Sequence, residues 1–582
     1  MSIYTKIQEK IQNALILLSQ NEGVDLPQNL LEKIVVEPTK DSAYGDLATN
    51  AAMILAKVFN TAPKNLAIKM IAYLNADPDF SKIECAGPGF INLSLDKTLW
   101  LNELSTVLNM QEAYGNLQLG QNKTINVEFV SANPTGPMHT GHGRNAVLGD
   151  VIASLLQKAG YDVTREYYIN DAGGQVKTLA QSVYLRYLTE CGETVAENAY
   201  AGKYPGDYLI PVAKGLKEKF GDQFVHAVET EWLSLFQADA VDAMMTKIQA
   251  DLKSLGIVMD VYTSEKKIVE ENLIEDVLTI LTNKGDIYTG VLEKPKRLDD
   301  AADWEERPQT LFRATKYGDD FDRALKKSDG SWTYFAGDLA YHLHKYRRNF
   351  DHLLNIFGCD HIGYIKRLKS AVSAISGNPD LLDVKASQLV NFLENGVPIR
   401  MSKRSGNFIT IEDVVKRVGK DATRFMMVSR HQDMTIDFDF EKVVEESKDN
   451  PMFYIQYAHA RICSVLRHVN KTPTDDQLKN VDCTHIKDDL ELEVLKKVCE
   501  YPRQIEIAAR CIEPHRICTY LYDLAGLFHG LWNAGKSNNQ LRFIDENNEK
   551  MTLSRLGLIS GVATVLSSGL KLLGITPVKE MR

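Results

Sequence analysis

The pattern of hydrophobic and polar positions in the first hundred residues predicts a small mixed domain. Apolar residues recur at helical spacing in IQEKIQNALILL, DLATNAAMILAKVF and NLAIKMIAYL. The run KIECAGPGFINLSL that follows has the pattern of a strand, a Gly-Pro-Gly turn and a second strand. We therefore predict an α+β domain over residues 1–115.

A different pattern begins near residue 120. TINVEFVSA is rich in β-branched and aromatic residues, which is typical of a buried strand. RNAVLGDVIASLLQKAG places Leu148, Ile152 and Leu155 on one helical face and ends at Gly160. YDVTREYYI predicts the next strand. Strand, glycine-rich corner, helix and strand make up the first unit of a doubly wound parallel sheet.

The rest of the chain predicts further sheet and then only helix. We expect a split Rossmann-like parallel-sheet domain over 120–445, with a polar, mostly helical insertion around 175–300. Sheet is expected again in SWTYFAGDLAYHLHKY, HLLNIFGCDH and SQLVNFLENGVPIRMSKRSG. Residues 446–582 are almost wholly helical in pattern and predict a separate all-α domain. The predicted fold class is multidomain α/β.

Composition narrows the class of protein. A chain of 582 residues is too long for one hydrophobic core. A net charge of −10 argues against a protein that coats nucleic acid, because such binding depends on phosphate neutralisation, but it leaves room for local basic patches. The 8 cysteines include no CxxC pair. Free thiols, together with an N-terminus unlike a signal peptide and no evident membrane span, favour the cytoplasm.

The segment SANPTGPMHTGHGR, residues 131–144, lies at the predicted strand-to-helix corner. Amide groups at the start of a helix bind anions. Gly141 and Gly143 allow a large anion to approach the backbone, and His139 and His142 add donors near neutral pH. The segment lacks the P-loop and GxGxxG patterns, and no further metal ligands stand nearby. It therefore predicts a phosphate site.

A second candidate segment, RMSKRSGN, lies far downstream at residues 400–407. A loop centred on Lys403 can close over a triphosphate and stabilise negative charge as it builds up, which phosphoryl or nucleotidyl transfer requires. HTGHG and this loop lie on the two halves of a split parallel-sheet fold. Together they resemble the HIGH and KMSKS signatures, respectively, of class I aminoacyl-tRNA synthetases.

The resemblance extends over nearly the whole chain and narrows to one family. VEFVSANPTGPMHTGHGR, YFAGDLAYH, GCDHIGY, MSKRSGNFITIEDVV and DNPMFYIQYAHAR are similar to an arginyl-tRNA synthetase. YGDLATNAAMILAK and AGPGFINL resemble that family's tRNA-contacting N-terminal domain, and the helical tail resembles its anticodon-binding domain. Thr140 replaces an apolar residue of HIGH, Arg400 and Arg404 replace the first Lys and last Ser of KMSKS, and the ending KEMR also departs from the family.

The resemblance implies ATP-dependent ligation of L-arginine to tRNA(Arg) through arginyl-adenylate, with release of AMP and pyrophosphate. ATP would arrive with Mg²⁺, without a structural metal bound by the protein. A cytoplasmic monomer with no membrane partner is expected.

The resemblance also implies roles for individual residues. The expected catalytic donors are His139, His142 and Lys403. The expected ATP contacts are Pro137, Gly141, Gly143, Met401, Ser402 and Lys403. The expected arginine contacts are Ser131, Ala132, Asn133, His142, Tyr334, Asp338 and either Asp360 or His361. The HIGH-like motif comprises Ala132, Asn133, Pro134, Thr135, Gly136, Pro137, Met138, His139, Thr140, Gly141 and His142.

Some features also fit other interpretations. Glu128 and Glu265 are weaker candidates for the arginine pocket, and for Glu265 a purely structural role is favoured. A nucleotidyltransferase without a tRNA substrate would need neither the N-terminal domain nor the helical tail. A non-catalytic RNA-binding relative would not need His139, His142 and Lys403 together with Asp338.

Overall fold

The computed structural model describes residues 2–292, 306–399, 409–469 and 473–581. The segment RMSKRSGN, with Met401, Ser402 and Lys403, therefore lies outside the described residues. The helices are α1 (Ile3–Glu22), α2 (Gln28–Leu31), α3 (Ala51–Leu55), α4 (Pro63–Leu74), α5 (Lys97–Met110), α6 (Thr140–Lys158), α7 (Gly174–Glu190), α8 (Ile210–Phe220), α9 (Glu229–Ser254), α10 (Glu265–Glu270), α11 (Leu273–Asn283), α12 (Tyr334–Arg347), α13 (Ile365–Ser376), α14 (Ile411–Val418), α15 (Lys420–Val428), α16 (Phe440–Val443), α17 (Pro451–His468), α18 (Asp475–Lys479), α19 (Asp489–Cys499), α20 (Tyr501–Cys511), α21 (His515–Ser537) and α22 (Glu549–Leu572). The strands are β1 (Val36–Pro38), β2 (Leu47–Thr49), β3 (Phe80–Ala86), β4 (Phe90–Leu95), β5 (Thr124–Glu128), β6 (Asp162–Ile169), β7 (Val261–Ser264), β8 (Ile287–Gly290), β9 (Gln309–Phe312), β10 (Arg323–Ala324), β11 (His352–Gly358), β12 (Leu382–Ser387), β13 (Val390–Glu394), β14 (Val397–Pro398) and β15 (Ile436–Asp439).

The N-terminal region is an antiparallel sheet covered by helices. Its strand order is β1-β2-β4-β3, and the strands β3 and β4 form the hairpin that KIECAGPGFINLSL predicts. Gly89 in its turn has φ +142°, and a Cβ there would lie 2.6 Å from Cβ of Pro63, so the hairpin requires glycine at this position. The segment predicted as one helix, DLATNAAMILAKVF, instead divides into β2 and α3.

The central sheet is parallel throughout, with the strand order β12-β11-β5-β6-β7. From β5 the chain adds β6 and β7 on one side, and it later adds β11 and β12 on the other. The order therefore reverses between β5 and β11. In open parallel sheets, the crevice at the carboxyl ends of two such strands is the usual ligand site.

Two predictions for this region were wrong in detail. The range 175–300 contains β7, which pairs with β6 in the central sheet, so the helical insertion proper is α7, α8 and α9. SWTYFAGDLAYHLHKY was predicted as sheet, but most of it forms α12. Polar residues lie on the buried face of this helix, and they obscure the apolar periodicity that reveals a helix.

The C-terminal region is helical, from α17 to α22. Helix α22 is long and apolar enough to cross a membrane, which the expectation of no such run overlooked, but 78% of its most apolar window is buried inside the protein. The helix packs against α17, α21 and the N-terminal α5. It therefore has the burial of a core helix.

A buried arginine joins the sheet region to the C-terminal helices. Arg424 of α15 is 1% exposed and forms an ion pair of 2.6 Å with Asp150 of α6. Its guanidinium also donates to the carbonyl oxygens of Leu255, after α9, and Leu573, after α22, at 2.9 and 2.7 Å. One side chain thus satisfies acceptors from three separate parts of the chain.

We expect Arg424→Met to lower the free energy of unfolding by about 3 kcal/mol, because it leaves buried acceptors without their donor. A lower thermal midpoint in calorimetry checks this. Arg417→Met is the matched control, since Arg417 is 38% exposed and pairs with Glu394 on the surface, where such pairs contribute little. Equal midpoints for the two variants would contradict the role of Arg424.

Candidate active site

The crevice between β5 and β11 is held together by one side chain of α6. Asn145 is buried; its Oδ1 accepts a hydrogen bond of 2.7 Å from the backbone N–H of Val130, and its Nδ2 donates to the carbonyl oxygen of Ile356 at 2.9 Å. Val130 follows β5 and Ile356 lies in β11. The spacing of the two strands at the reversal point is therefore fixed by Asn145.

The chain leaves β5 through a strained turn. Val130 and Ser131 have φ values of 68° and 40°, a region that residues with side chains rarely adopt. Ser131 Oγ donates to Glu128 Oε1 and accepts from the backbone N–H of Tyr168, each at 3.1 Å. These bonds stabilise a backbone conformation of the kind that is concentrated at functional sites.

The two histidines of the corner stack on each other at the start of α6. Their ring centroids are 3.8 Å apart, and their planes are inclined by 26°. His139 caps the helix, and its Nδ1 accepts a hydrogen bond of 3.0 Å from the N–H of Gly141. An imidazole that accepts at Nδ1 carries its proton on Nε2. A Cβ at position 141 would lie 2.8 Å from the His139 ring, so glycine preserves this geometry.

The corner pairs with the chain that follows the downstream candidate loop. The N–H of Thr140 donates to the carbonyl oxygen of Ile409 at 3.2 Å, and the N–H of Ile411 donates to that of Met138 at 3.0 Å. His139 and Thr410 face each other in the resulting antiparallel bridge. The corner and the start of α14 thus form one structural unit.

Gly143 has a different role from the expected one. A Cβ at this position would lie 2.3 Å from Cδ1 of Ile411, and the residue is buried. The missing side chain therefore makes room for α14 to pack on α6. Gly141, which is exposed at the helix start, remains in a position to approach an anion.

A cavity of about 390 Å³ opens beside the corner and is rich in acidic groups. Its lining includes the carboxyl groups of Glu128, Glu265 and Asp338. Aromatic rings also contribute, from Tyr168, Tyr334, Tyr341 and Tyr364. Acidic groups beside flat rings suit a planar, cationic, donor-rich ligand.

The carboxyl group of Asp338 is the most perturbed acid of the cavity. Burial raises its pKa, and the neighbouring Glu128 and Glu265 raise it further, although a hydrogen bond from the hydroxyl of Tyr364 lowers it; the result is a pKa of about 7. Burial and the nearby Asp171 also raise the pKa of Glu265. A cationic ligand would relieve this repulsion.

A buried chain of hydrogen bonds runs behind the cavity. Lys345 Nζ is fully buried, pairs with Glu128 Oε2 at 2.5 Å and donates to Asn355 Oδ1 at 3.1 Å. Asn355 Nδ2 meets His342 Nε2 at 3.1 Å, and His342 Nδ1 lies 2.9 Å from the carbonyl oxygen of Asp338. A carbonyl only accepts, so the His342 proton is on Nδ1. Burial and Lys345 lower the pKa of His342 to about 3.

The structure brings together only part of the expected substrate set. Ser131, Tyr334, Asp338 and His361 line the cavity. The side chain of Asp360 is 78% exposed and does not line it, so His361 is the better placed of the two.

The remaining expected contacts lie outside the cavity lining. Asn133 is exposed and bonded to Asn170 and Gln175 at 2.9 Å each. The carbonyl oxygen of Ala132 accepts from the hydroxyl of Tyr167 at 2.7 Å. Pro137 is buried in the corner, and His142 lies against His139.

Metal binding by the protein alone finds no support in the described part of the chain, where no group of 3 or more His, Cys, Asp or Glu side chains is placed to hold an ion.

Comparison with known proteins identifies the family. Three family models match: "Arginyl tRNA synthetase N terminal domain" over residues 5–95, "tRNA synthetases class I (R), catalytic domain" over 103–199 and "DALR anticodon binding domain" over 455–581. An arginine–tRNA ligase of Ruegeria pomeroyi is 50% identical over 587 aligned residues, covering 100% of both chains. The chain belongs to the arginyl-tRNA synthetase family.

Solved structures agree with this assignment. A crystal structure described as a putative arginyl-tRNA synthetase from Campylobacter jejuni is 30% identical, covers 84% of this chain and 100% of its own, and has a TM-score of 0.72. The Thermus thermophilus arginyl-tRNA synthetase, at 20% identity with 100% of both chains covered and a TM-score of 0.72, shows the shared fold. The resemblance and the fold class inferred from the sequence are confirmed.

Several residues of this synthetase site were missed in the sequence. Tyr341, His342 and Lys345 lie three, four and seven residues after Asp338, which is the spacing of one helix face. That polar stripe was the available signal. Asn145 had a weaker signal. Its position one helical turn after His142 in α6 was the available indication.

We expect His342 to stay neutral, with its proton on Nδ1, from pH 8 down to pH 5, because burial and Lys345 hold its pKa at about 3. Two-bond ¹H–¹⁵N correlation spectra of ¹⁵N-histidine-labelled protein measure this, and His342→Gln assigns the signals by their loss. Imidazolium shifts for His342 at pH 5 would contradict the buried chain described here.

Proposed function

We propose that the chain catalyses ATP-dependent ligation of L-arginine to tRNA(Arg). The observation that carries this is the acidic cavity lined by Glu128, Glu265 and Asp338, together with Ser131 of the corner and Asn145 of α6, at the reversal point of a parallel sheet. Family membership supports the reaction, and the chemistry of the cavity supports the amino acid.

Asp338 is the proposed partner of the guanidinium group. A guanidinium is planar and always charged, and it donates two parallel hydrogen bonds to a carboxylate. The hydroxyl of Tyr364 donates to Asp338 and orients it. Tyr334 stands 65% exposed at the start of α12, where its ring is available to cover the ligand.

The backbone end of arginine is assigned to the strained turn after β5. Ser131 lines the cavity at this turn. Its backbone, that of Ala132 and the side chain of Asn133 are the proposed contacts for the α-ammonium and carboxylate groups. Asn133 is exposed, so it is accessible from solvent. This end of the substrate must reach the ATP, and the same loop leads on to His139.

Activation is an in-line displacement at phosphorus. An oxygen of the arginine carboxylate attacks the α-phosphate of ATP, the bond to pyrophosphate breaks, and arginyl-adenylate forms. His139, His142 and Lys403 are the proposed donors to the phosphoryl oxygens, because preorganised donors are most effective where charge builds up. Pro137, Gly141, Met401 and Ser402 complete the proposed ATP contacts. Mg²⁺ arrives with the phosphates of the nucleotide.

In the second step a terminal ribose hydroxyl of the tRNA attacks the carbonyl carbon of the adenylate, and AMP leaves. We assign tRNA contacts to an N-terminal domain at 1–115 and to a helical anticodon-binding domain at 446–582, which flank a catalytic domain at 120–445. The DALR match supports the anticodon assignment. Exposed Tyr457 and Tyr522 provide aromatic surface on that domain. We also propose that the protein is a monomer in the cytoplasm.

The direct test is charging of tRNA(Arg) with labelled arginine, which should require ATP. Citrulline should not be charged, because it replaces the guanidinium cation with a neutral urea and leaves the acidic cavity uncompensated. Pyrophosphate exchange measured with and without tRNA separates activation from transfer. ATP turnover without any transfer of arginine to tRNA would overturn the proposed function.

Lys403→Ala should lower kcat for charging by about 10²–10³-fold, the usual cost of one preorganised donor to a developing oxyanion. Lys416→Ala is the matched control, because Lys416 of α14 is an exposed lysine that pairs with Glu412. Steady-state kinetics compare the two. Equal rates for both variants would remove Lys403 from the mechanism.

The affinity for arginine should depend on pH through Asp338. Its pKa of about 7 without ligand falls when a guanidinium binds, so binding is strongest above pH 7 and weakens as pH falls through it. KM for arginine should rise by roughly 10-fold per pH unit below that point. In Asp338→Asn the KM should be high and this dependence absent. An unchanged pH profile in that variant would assign the titration to another group.

A further inference from the structure

Lys345 lies close to the cavity but has no role in the proposed reaction as described so far. Its ammonium group is fully buried behind the cavity and does not line it. A lone buried ammonium group is costly, so it needs partners. Those partners come from three elements: Glu128 of β5 at 2.5 Å, Asn355 of β11 at 3.1 Å, and the ring of Tyr341 in its own helix, whose centroid is 4.5 Å away.

The other polar neighbours of Lys345 also form hydrogen bonds with further residues. Asn355 is bonded to His342, which is neutral. Glu166 of β6 is close enough to be stabilised by Lys345, but it is bonded to Arg348, Thr263, Asn126 and Tyr341. Among the described residues, Glu128 is therefore the carboxylate that pairs directly with Lys345.

Glu128 connects this cation to the substrate side. Its Oε2 holds Lys345, its Oε1 accepts from Ser131, and it also lines the cavity. Among the described residues the cavity lining carries three carboxyl groups. With Lys345 behind one of them, the formal charge is −3 + 1 = −2. Bound arginine offers two cationic groups and must keep its carboxylate free to react.

We propose that Lys345 is a positioning and specificity-determining residue, which fixes Glu128 against Ser131 and matches the charge of the cavity to the two cations of arginine. This inference rests on the proposed function. Without Lys345, three unpaired carboxyl groups would share one cavity of low dielectric and would take up protons rather than bind a dication. Without Glu128, the buried ammonium would itself repel the substrate.

The effect of an unpaired Lys345 on arginine binding can be measured directly. Glu128→Gln leaves Lys345 unpaired, so KM for arginine should rise by about 100-fold, as for truncating one partner of a buried charge pair. Glu128→Gln combined with Lys345→Met removes both charges, and KM should recover by about 10-fold relative to Glu128→Gln alone. KM for ATP should stay constant in both variants. The neutral double variant leaves no lone charge buried, so its folding is the more secure.

A purely structural Lys345 gives the opposite result. In that case the second substitution would not improve KM, and a double variant with KM equal to or above that of Glu128→Gln overturns the proposal. Lys345→Arg, which keeps the charge, should retain a lower KM than Lys345→Met. Lys219→Met, at an exposed pair with Asp239, controls for the substitution itself. Failure of the wild-type chain to charge arginine would instead refute the proposed function.

Discussion

The site depends on a short backbone pairing between two distant parts of the chain. Met138 and Thr140 exchange hydrogen bonds with Ile411 and Ile409, so the corner that carries the histidines and the start of α14 form one antiparallel bridge. Gly143 permits this approach, since any side chain there would collide with Ile411. Without this pairing, the residues that follow β5 and those that follow the RMSKRSGN segment would not be held in a fixed relative position.

Helix α6 extends this frame through the protein. Its first residues carry the histidine corner, Asn145 fixes the spacing of β5 and β11, and Asp150 pairs with Arg424. Arg144, one turn in from the histidines, donates to carbonyl oxygens of Gln388, His431 and Met434. The chemistry is thus placed on a rigid element whose buried polar residues are all bonded to other parts of the fold, which is how precise sites are supported.

Sequence reasoning located the corner, the first strand–helix–strand unit and the family, because each has a local signature. It placed α12 in a sheet, since the polar face formed by Asp338, His342 and Lys345 masks the helical period. It extended the insertion over β7, because a strand of four residues at a sheet edge has little pattern of its own. It also could not show that Gly143 packs against Ile411, since that contact exists only once the distant segments meet.

Glu166 of β6 and Asp338 of α12 illustrate how environment divides the roles of two buried carboxyl groups. Glu166 is fully buried, yet Lys345 and Arg348 outweigh the effect of burial and hold its pKa at about 2, so it remains a structural anion. Asp338 accepts a hydrogen bond from a tyrosine hydroxyl and has no ion pair with any of the described residues, and burial, together with Glu128 and Glu265, raises its pKa to about 7. A carboxyl group that lacks an internal cation is the one that gains most from an external cation. The distribution of buried Lys and Arg therefore determines which buried carboxyl group keeps the capacity to pair with an added cation.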